Sequence, residues 1–294
     1  MINRLPVWFK QKLPSDEALQ FSAILRDKFK LNTVCHSAKC PNSSECFHNK
    51  HATFLILGNR CTRSCKFCNI EYCFVSEKKS NQQLLVDKNE PYRIAQAVNY
   101  YDLEYIVITS VTRDDLSDGG ASHFVQTIKA IKENNANIKI EVLIPDFKGS
   151  RQALGSVVDS KPEIIAHNLE TVERIYPLVR SRADYNRSLE VLRSIKSLNP
   201  SQITKTSVML GLGETEEDLR ESLYDLREVN CDMLVLGQYL RPTLVNYPVK
   251  KFYSPHEFKI WEKFAYSLGF RSVYASPLAR TSYLAKEQEK CMTL

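Results

Sequence analysis

No apolar run in the sequence approaches the roughly 18–20 residues that cross a bilayer, so membrane-spanning helices are not expected. Glycine (9) and proline (12) are too few for a collagen-like, low-complexity or disordered chain. There is no fixed-period repeat and no Gly/Ser/Pro-rich linker. Charge of one sign is also scarce: 40 Lys and Arg against 34 Asp and Glu leave a net charge of +6, spread along the chain. That pattern lacks the basic, aromatic-interleaved stripe of a nucleic-acid binder, although it permits an acidic protein partner. The first ten residues, Met1 to Lys10, lack the features of a secretory signal or an organelle transit peptide, so a soluble cytoplasmic protein is expected. We find no P-loop, nucleophile elbow or Ser/His/Asp arrangement.

What is present is a concentration of cysteine. Seven of the nine cysteines fall between positions 35 and 73. An even scatter would place about one there. In a reducing compartment a disulfide framework is not expected, and clustered thiols usually hold metal. Cys61, Cys65 and Cys68 read C-x3-C-x2-C. Soft thiolates on one short loop suit three corners of a cubic iron–sulfur cluster, leaving the fourth iron open to a small molecule. Zinc is the alternative, but it asks for four ligands, usually as two close pairs. A second triplet, Cys35, Cys40 and Cys46, reads C-x4-C-x5-C, so two clusters are indicated.

The rest of the chain alternates. Strand-like apolar runs cover residues 52–58, 105–110, 138–145, 164–168, 205–210 and 233–240. Helical patterns lie at 15–29, 91–101, 120–134, 151–159, 172–179, 185–197, 216–229 and 255–268, and a short apolar run follows at 272–276. Near-continuous apolar strands separated by helices imply a parallel sheet covered on both faces. Six such units suggest a partial (β/α)6 barrel, with its chemistry at the C-terminal strand ends. The expected division is an N-terminal extension (1–50), the barrel (51–270) and a C-terminal extension (271–294).

A C-x3-C-x2-C loop after the first strand of such a barrel resembles the radical S-adenosylmethionine superfamily. Within it, the chain resembles the lipoyl synthases from about Val34 to Ala285. The matching stretches include Cys40-Pro-Asn42, Thr109-Ser-Val-Thr-Arg-Asp-Asp-Leu116, Pro145-Asp-Phe147, His167-Asn-Leu-Glu-Thr-Val172, Gly211-Leu-Gly-Glu214 and Arg280-Thr-Ser-Tyr283. The resemblance implies that S-adenosylmethionine chelates the open iron of the cluster on Cys61, Cys65 and Cys68. One electron then cleaves it to a 5′-deoxyadenosyl radical. It also implies an auxiliary 4Fe–4S cluster on Cys35, Cys40, Cys46 and Ser282, carried by the two extensions. The reaction implied is insertion of two sulfur atoms at carbons six and eight of a protein-bound octanoyl-lysine, consuming the auxiliary cluster's sulfide. Octanoylated lipoyl carrier domains (2-oxoacid dehydrogenase subunits, glycine cleavage H protein) would be the partners, docking at the C-terminal mouth of the sheet. A ferredoxin or flavodoxin would supply electrons. Thr281 stands where the family usually has Ser, and Leu284 where it often has His. Other readings are a different radical enzyme with an auxiliary cluster, a silent cluster carrier, or a zinc-structured interaction protein.

The remaining candidates have two readings each. Ser282 is either a cluster ligand or the N-cap of a following helix. If a ligand, it is harder than thiolate and suited to being displaced, with Arg280 favouring its ionised form. Ser110, Asn168 and Lys205 either line the cofactor or substrate pocket or make ordinary loop hydrogen bonds. Ile70 either offers a backbone contact to adenine, as in the superfamily, or is core. Gly211-Leu-Gly213 is a turn into a helix or a backbone approach to S-adenosylmethionine; it lacks the third glycine of a dinucleotide fingerprint. Cys73, Cys231 and Cys291 are expected to be buried or indifferent, and His36 and His48 to serve the surface rather than a cluster.

Overall fold

A computed structural model describes residues 5–73 and 84–290. Cys291 lies outside the described residues. In chain order the strands are β1 (Asn32–Thr33), β2 (Thr53–Ile56), β3 (Arg60–Cys61), β4 (Glu71–Tyr72), β5 (Tyr105–Ser110), β6 (Lys139–Leu143), β7 (Ile164–Ala166), β8 (Ile203–Leu210), β9 (Met233–Gln238) and β10 (Ser272–Ser276). One sheet runs β1-β2-β5-β6-β7-β8-β9-β10, while β3 and β4 form a separate pair bracketing the loop that carries Cys65 and Cys68. Only β1 is antiparallel; it caps the edge of β2. The others are parallel, because each is followed by a crossover that returns the chain to the same end of the sheet.

The six expected strands are all present. The sheet goes further: residues 272–276, assigned from sequence to the C-terminal extension, form a seventh parallel strand in register with β9, from Ser272 against Met233 to Ser276 against Gly237. The helix Pro255–Ser267 is the crossover that allows this pairing. A run of five residues is too short to show by itself which sheet it joins. The helix expected over 15–29 is α-helical from Asp16 to Ala23 and then widens into a π turn, Ile24–Lys28, where Phe29 N donates to Ile24 O.

Strand residues are buried on both faces, and the apolar core divides in two. One part lies between β2, β5, β6 and the helices Glu90–Tyr100, Ala121–Asn134 and Arg151–Asp159. The other lies between β8, β9, β10 and the helices Glu216–Glu228 and Pro255–Ser267. Both of these last helices begin with a reciprocal capping box, Thr215 with Asp218 and Ser254 with Glu257, which satisfies backbone donors at their first turns.

The sheet is open between β1 and β10. The two extensions meet each other and the barrel there. Asn42 Nδ2 donates to Leu278 O (2.7 Å), Tyr283 Oη to Glu45 Oε2 (3.0 Å), and Lys139 Nζ pairs with Glu289 (2.8 Å).

At the end of β8, Gly211 sits at φ +102°, and a Cβ there would lie 2.1 Å from Gln238 Nε2 and 2.5 Å from Lys251 O. A Gly211→Ala substitution is expected to cost about 3 kcal/mol, from the left-handed backbone plus overpacking. A clearly lowered Tm in thermal unfolding checks it; an unchanged Tm would refute the close packing.

Candidate active site

The loop after β2 is held by one cation. Arg63, between Cys61 and Cys65, donates two hydrogen bonds to Asp114 (2.8 and 2.9 Å) and two to Asp146 (2.8 and 2.7 Å). Its side chain is only 5% exposed, and Asp146 only 1%. Burial opposes the Arg63 charge, but the two carboxylates outweigh it and hold the guanidinium above its usual range. Burial likewise opposes the Asp146 charge, and Arg63 overrides it, keeping the carboxyl well below the usual range. Asp114 follows β5 and Asp146 follows β6, so the clamp ties the cysteine loop across two strand ends. Thr62 reinforces it: its backbone N–H and hydroxyl both donate to Thr112 O, at 3.0 Å each.

The three thiols of this loop are neighbours. Burial pushes Cys65 up to about 11, with Cys61 adding to the rise. Burial pushes Cys68 up to about 12, with Cys65 and Cys61 adding. The upstream triplet behaves in the same way. Cys35 is pushed up to about 12 by burial and then by Cys40, and Cys46 is raised by burial and then by Cys35 and Cys40. Ionisation of Cys35, Cys46, Cys65 and Cys68 is therefore opposed by burial and by neighbouring thiols, and binding a metal there must release protons. Among the described residues no three His, Cys, Asp or Glu side chains converge as for a single ion. Three soft donors that are close but not convergent fit the separate corners of a multi-iron cluster better than one zinc.

A cavity of about 380 Å³ is bordered by the whole upstream triplet and by one cysteine of the second. Cys35, Cys40, Cys46, Cys68, Asn168 and Ser282 all border it. Its volume lies in the range of small-molecule sites. Much of its wall is apolar: Val34, Ala52, Phe67, Val107, Leu143 and Met209. Among the described residues, the fixed charges on the wall are Lys39, Arg241, Arg280 and Lys286, all cationic.

Ser282 does not cap a helix. The following helix starts at Ala285, with Gln288 N donating to Leu284 O (2.9 Å). Ser282 shares the cavity wall with the upstream thiols. Its neighbour Thr281 donates from Oγ1 to Asn168 Oδ1 (3.0 Å), tying this segment to the end of β7. Gly237 in β9 leaves room for it, since a Cβ there would lie 2.2 Å from Ala279 O.

The other candidates are placed elsewhere. Ile70 packs against the first core, its backbone N–H 3.4 Å from Cys68 Sγ. Ser110 has its hydroxyl buried without a partner at the end of β5. Lys205 is fully buried near the start of β8, paired with Glu141 at 3.0 Å, and Glu141 also accepts from Tyr105 Oη (2.9 Å). None of these three borders the cavity. The carboxylate of Glu214 fills the turn that its own glycines make, accepting from the N–H groups of Gly211, Leu212 and Gly213 at 2.6–3.0 Å. Cys73 and Cys231 are buried. His36 bonds Ser22 (2.6 Å) and His48 bonds Ser15 (3.1 Å).

Sequence reasoning missed Arg63 and Asn246. Asn246 Nδ2 donates to the carbonyls of Lys66 (3.2 Å) and Cys68 (2.9 Å), closing the cysteine loop from the far side. A charged residue inside a ligand loop, together with the acidic motifs at 114 and 146, was the available signal for Arg63. Nothing local marked Asn246.

The parallel sheet, open on one side, with a three-cysteine loop at its C-terminal end, defines a radical S-adenosylmethionine protein. The family model "Radical SAM superfamily" matches residues 55–226. The chain is similar in fold to the FeFe-hydrogenase maturase from Carboxydothermus hydrogenoformans (TM-score 0.57, 16% identity, 73% of this chain and 50% of that one). It is also similar to coproporphyrinogen III oxidase from Escherichia coli (TM-score 0.52, 15% identity, 73% and 52%). The chain thus spans about half the length of these solved structures. It is 47% identical over 290 residues to a lipoyl synthase of Caldicellulosiruptor saccharolyticus, covering 99% of both chains. It is 52% identical over 260 residues to one of Aquifex aeolicus, covering 88% and 91%. The chain belongs to the lipoyl synthase family. Superfamily membership brings with it one 4Fe–4S cluster and S-adenosylmethionine. Among the described residues no helix is long and apolar enough to cross a membrane.

Two expectations follow. Replacing Arg63 by Met removes the Arg63 cation from Asp114 and leaves Asp146 only the longer pairing with Arg187 (3.3 Å), which is expected to cost about 3 kcal/mol. Urea unfolding and iron content after reconstitution check this, and a variant retaining both would refute the clamp. The second concerns His167, which is 1% exposed. Its Nδ1 lies 2.9 Å from Ile144 O, so the proton is on Nδ1, and Nε2 is buried without a partner. Burial, then the Arg180 charge, pulls it down from 6.5 to about 4. The unfolded chain takes up a proton below about pH 6.5 and the folded one only near 4, so stability is full above 6.5 and falls between the two. The loss attributable to His167 between pH 7 and 5 is expected to be about 2 kcal/mol. His167→Gln should flatten the Tm-against-pH curve over that window; an equally steep curve would refute the assignment.

Proposed function

We propose that the chain inserts two sulfur atoms, at carbons six and eight, into an octanoyl group held as an amide on a lysine of a lipoyl carrier domain. The observation that carries this reading is one largely apolar cavity bordered by all three upstream cysteines, by Cys68 of the second triplet and by Ser282. Cys61, Cys65 and Cys68 are the residues that hold the radical-generating cluster, and Cys35, Cys40, Cys46 and Ser282 those that hold an auxiliary one. When bound, these groups and S-adenosylmethionine supply the hydrogen-abstracting radical and the sulfur that replaces the hydrogen.

The chain's own part is placement and exclusion. Arg63 and Asn246 fix the cysteine loop at two places, with Cys68 at the cavity wall. Val107, Leu143 and Met209 make a wall that favours an alkyl chain over water. Thr281, through Asn168, sets where Ser282 stands. Arg280 lies close to Cys40, so its charge favours the ionised form of ligands on that side. A hydroxyl ligand is harder than thiolate and releases iron more readily, which suits a cluster that must be opened. Octanoylated carrier domains of 2-oxoacid dehydrogenases or of the glycine cleavage H protein are the fitting partners, and a ferredoxin or flavodoxin the fitting electron donor.

The test is anaerobic reconstitution, followed by S-adenosylmethionine, reductant and an octanoyl-lysine peptide, with 5′-deoxyadenosine and peptide mass read together. The expected result is gain of two sulfurs at about one product per chain, with about eight irons bound. Ser282→Ala is expected to keep deoxyadenosine formation while losing most sulfur insertion and part of the iron. Full iron and normal product from Ser282→Ala would remove Ser282 from the cluster. Deoxyadenosine without sulfur from the unmodified protein would move the substrate elsewhere.

A further inference from the structure

Leu244 is 83% exposed and Val245 95% exposed, side by side. Single exposed apolar residues are ordinary, but an adjacent pair held rigidly outward is not. The turn at 243–246 is rigid. Asn246 N donates to Thr243 O (3.1 Å), and Thr243 donates to Asn246 Oδ1 from both its backbone N–H (3.1 Å) and its hydroxyl (2.6 Å). Arg241 clamps the same turn, donating from Nε to Asn246 O (2.8 Å) and from Nη2 to Leu244 O. The two side chains therefore do not fold back onto the protein.

The turn is also tied to the site. Asn246 Nδ2 bonds the carbonyls of Lys66 and Cys68, and Tyr247 N donates to Lys66 O (2.9 Å). Leu240, Arg241 and Pro242, at the base of the turn, border the cavity. Lys66, Arg241 and Lys250 are exposed around it, and the cavity's own charged wall is cationic throughout its described residues. Whatever grips Leu244 and Val245 is placed beside the cavity mouth, on a surface that favours negative charge.

We propose that the turn at 243–246 is the docking knob for the folded carrier domain, a small acidic domain that covers Leu244 and Val245 and swings its acylated lysine into the cavity. This rests on the sulfur-inserting function above. A preorganised apolar tip loses little conformational entropy on binding, and the surrounding cations steer an acidic partner. The same tether to Lys66 and Cys68 sets the register between the docked domain and the cysteine loop.

The test compares an octanoylated lipoyl carrier domain with a short octanoyl-lysine peptide, using the reconstituted full chain and a Leu244→Ser, Val245→Ser double variant. With KM read as the substrate concentration giving half the maximal single-turnover rate, the variant is expected to raise KM for the domain about tenfold, as loss of a small hot spot would, with the maximal rate and the peptide KM unchanged. Iron content and Tm should match the parent. Added salt should raise the parent's KM for the domain but not for the peptide. An unchanged domain KM would overturn the proposal. So would an equal effect on both substrates, which would mean that the turn acts only through the cysteine loop. A concentration-dependent dimer of the parent that the variant loses would assign the tip to a second copy of the chain. A parent that modifies neither substrate would overturn the sulfur-inserting function itself, and the docking role with it.

Discussion

The buried guanidinium of Arg63 between Asp114 and Asp146 is the contact on which the site's construction rests. A loop carrying three cysteines at its turns has no apolar reason to stay against a sheet. Its thiols are polarisable and its backbone turns are irregular, so the loop must be held by something directional. Four hydrogen bonds from one planar group, to carboxylates at the ends of two neighbouring parallel strands, provide that direction. Lysine could not match it, since its point charge lacks the fork geometry. The cost of burying three charges is offset because the partners are fully hydrogen-bonded, and the site gains a single loop conformation.

The second constraint is the open sheet. A closed barrel would leave no lateral gap for the two extensions. Because β1 and β10 do not pair with each other, residues 34–53 and 278–289 can meet and bring Cys35, Cys40, Cys46 and Ser282 to one face of the cavity. The ends of the chain thus complete the site: Asn42 reaches Leu278, and Glu45 reaches Tyr283. The same arrangement leaves a cavity of about 380 Å³ walled mainly by hydrocarbon, which suits a flexible acyl arm.

Positive charge recurs wherever the cavity is charged. Lys39, Arg241, Arg280 and Lys286 line it, while the carboxylates of the region are turned to other work: Asp114 and Asp146 to Arg63, Glu214 to its own turn, Glu141 to Lys205. Lys205 shows how a polar residue in a strand can mislead. Its place near the end of an expected strand suggested a pocket residue, but its ammonium is paired with Glu141 and does not border the cavity.

The sequence by itself determined the elements and the donors. Apolar runs against 3.6-residue patterns marked six parallel strands and most of the helices, because burial on both faces leaves a local record in residue type. The spacing of Cys61, Cys65 and Cys68, and of Cys35, Cys40 and Cys46, marked two thiol sets because the members of each lie within a dozen positions of one another in the chain. Ser282 was legible only through a family motif, since one serine has no local signature. Tertiary structure alone decided the rest. That β10 joins the sheet, that Arg63 meets Asp146, that Asn246 closes the cysteine loop and that Cys68 and Ser282 border one cavity with the upstream thiols are contacts between residues tens to hundreds of positions apart. Such contacts are set by crossover geometry and by competition among polar groups for partners, and neither is encoded in any one segment.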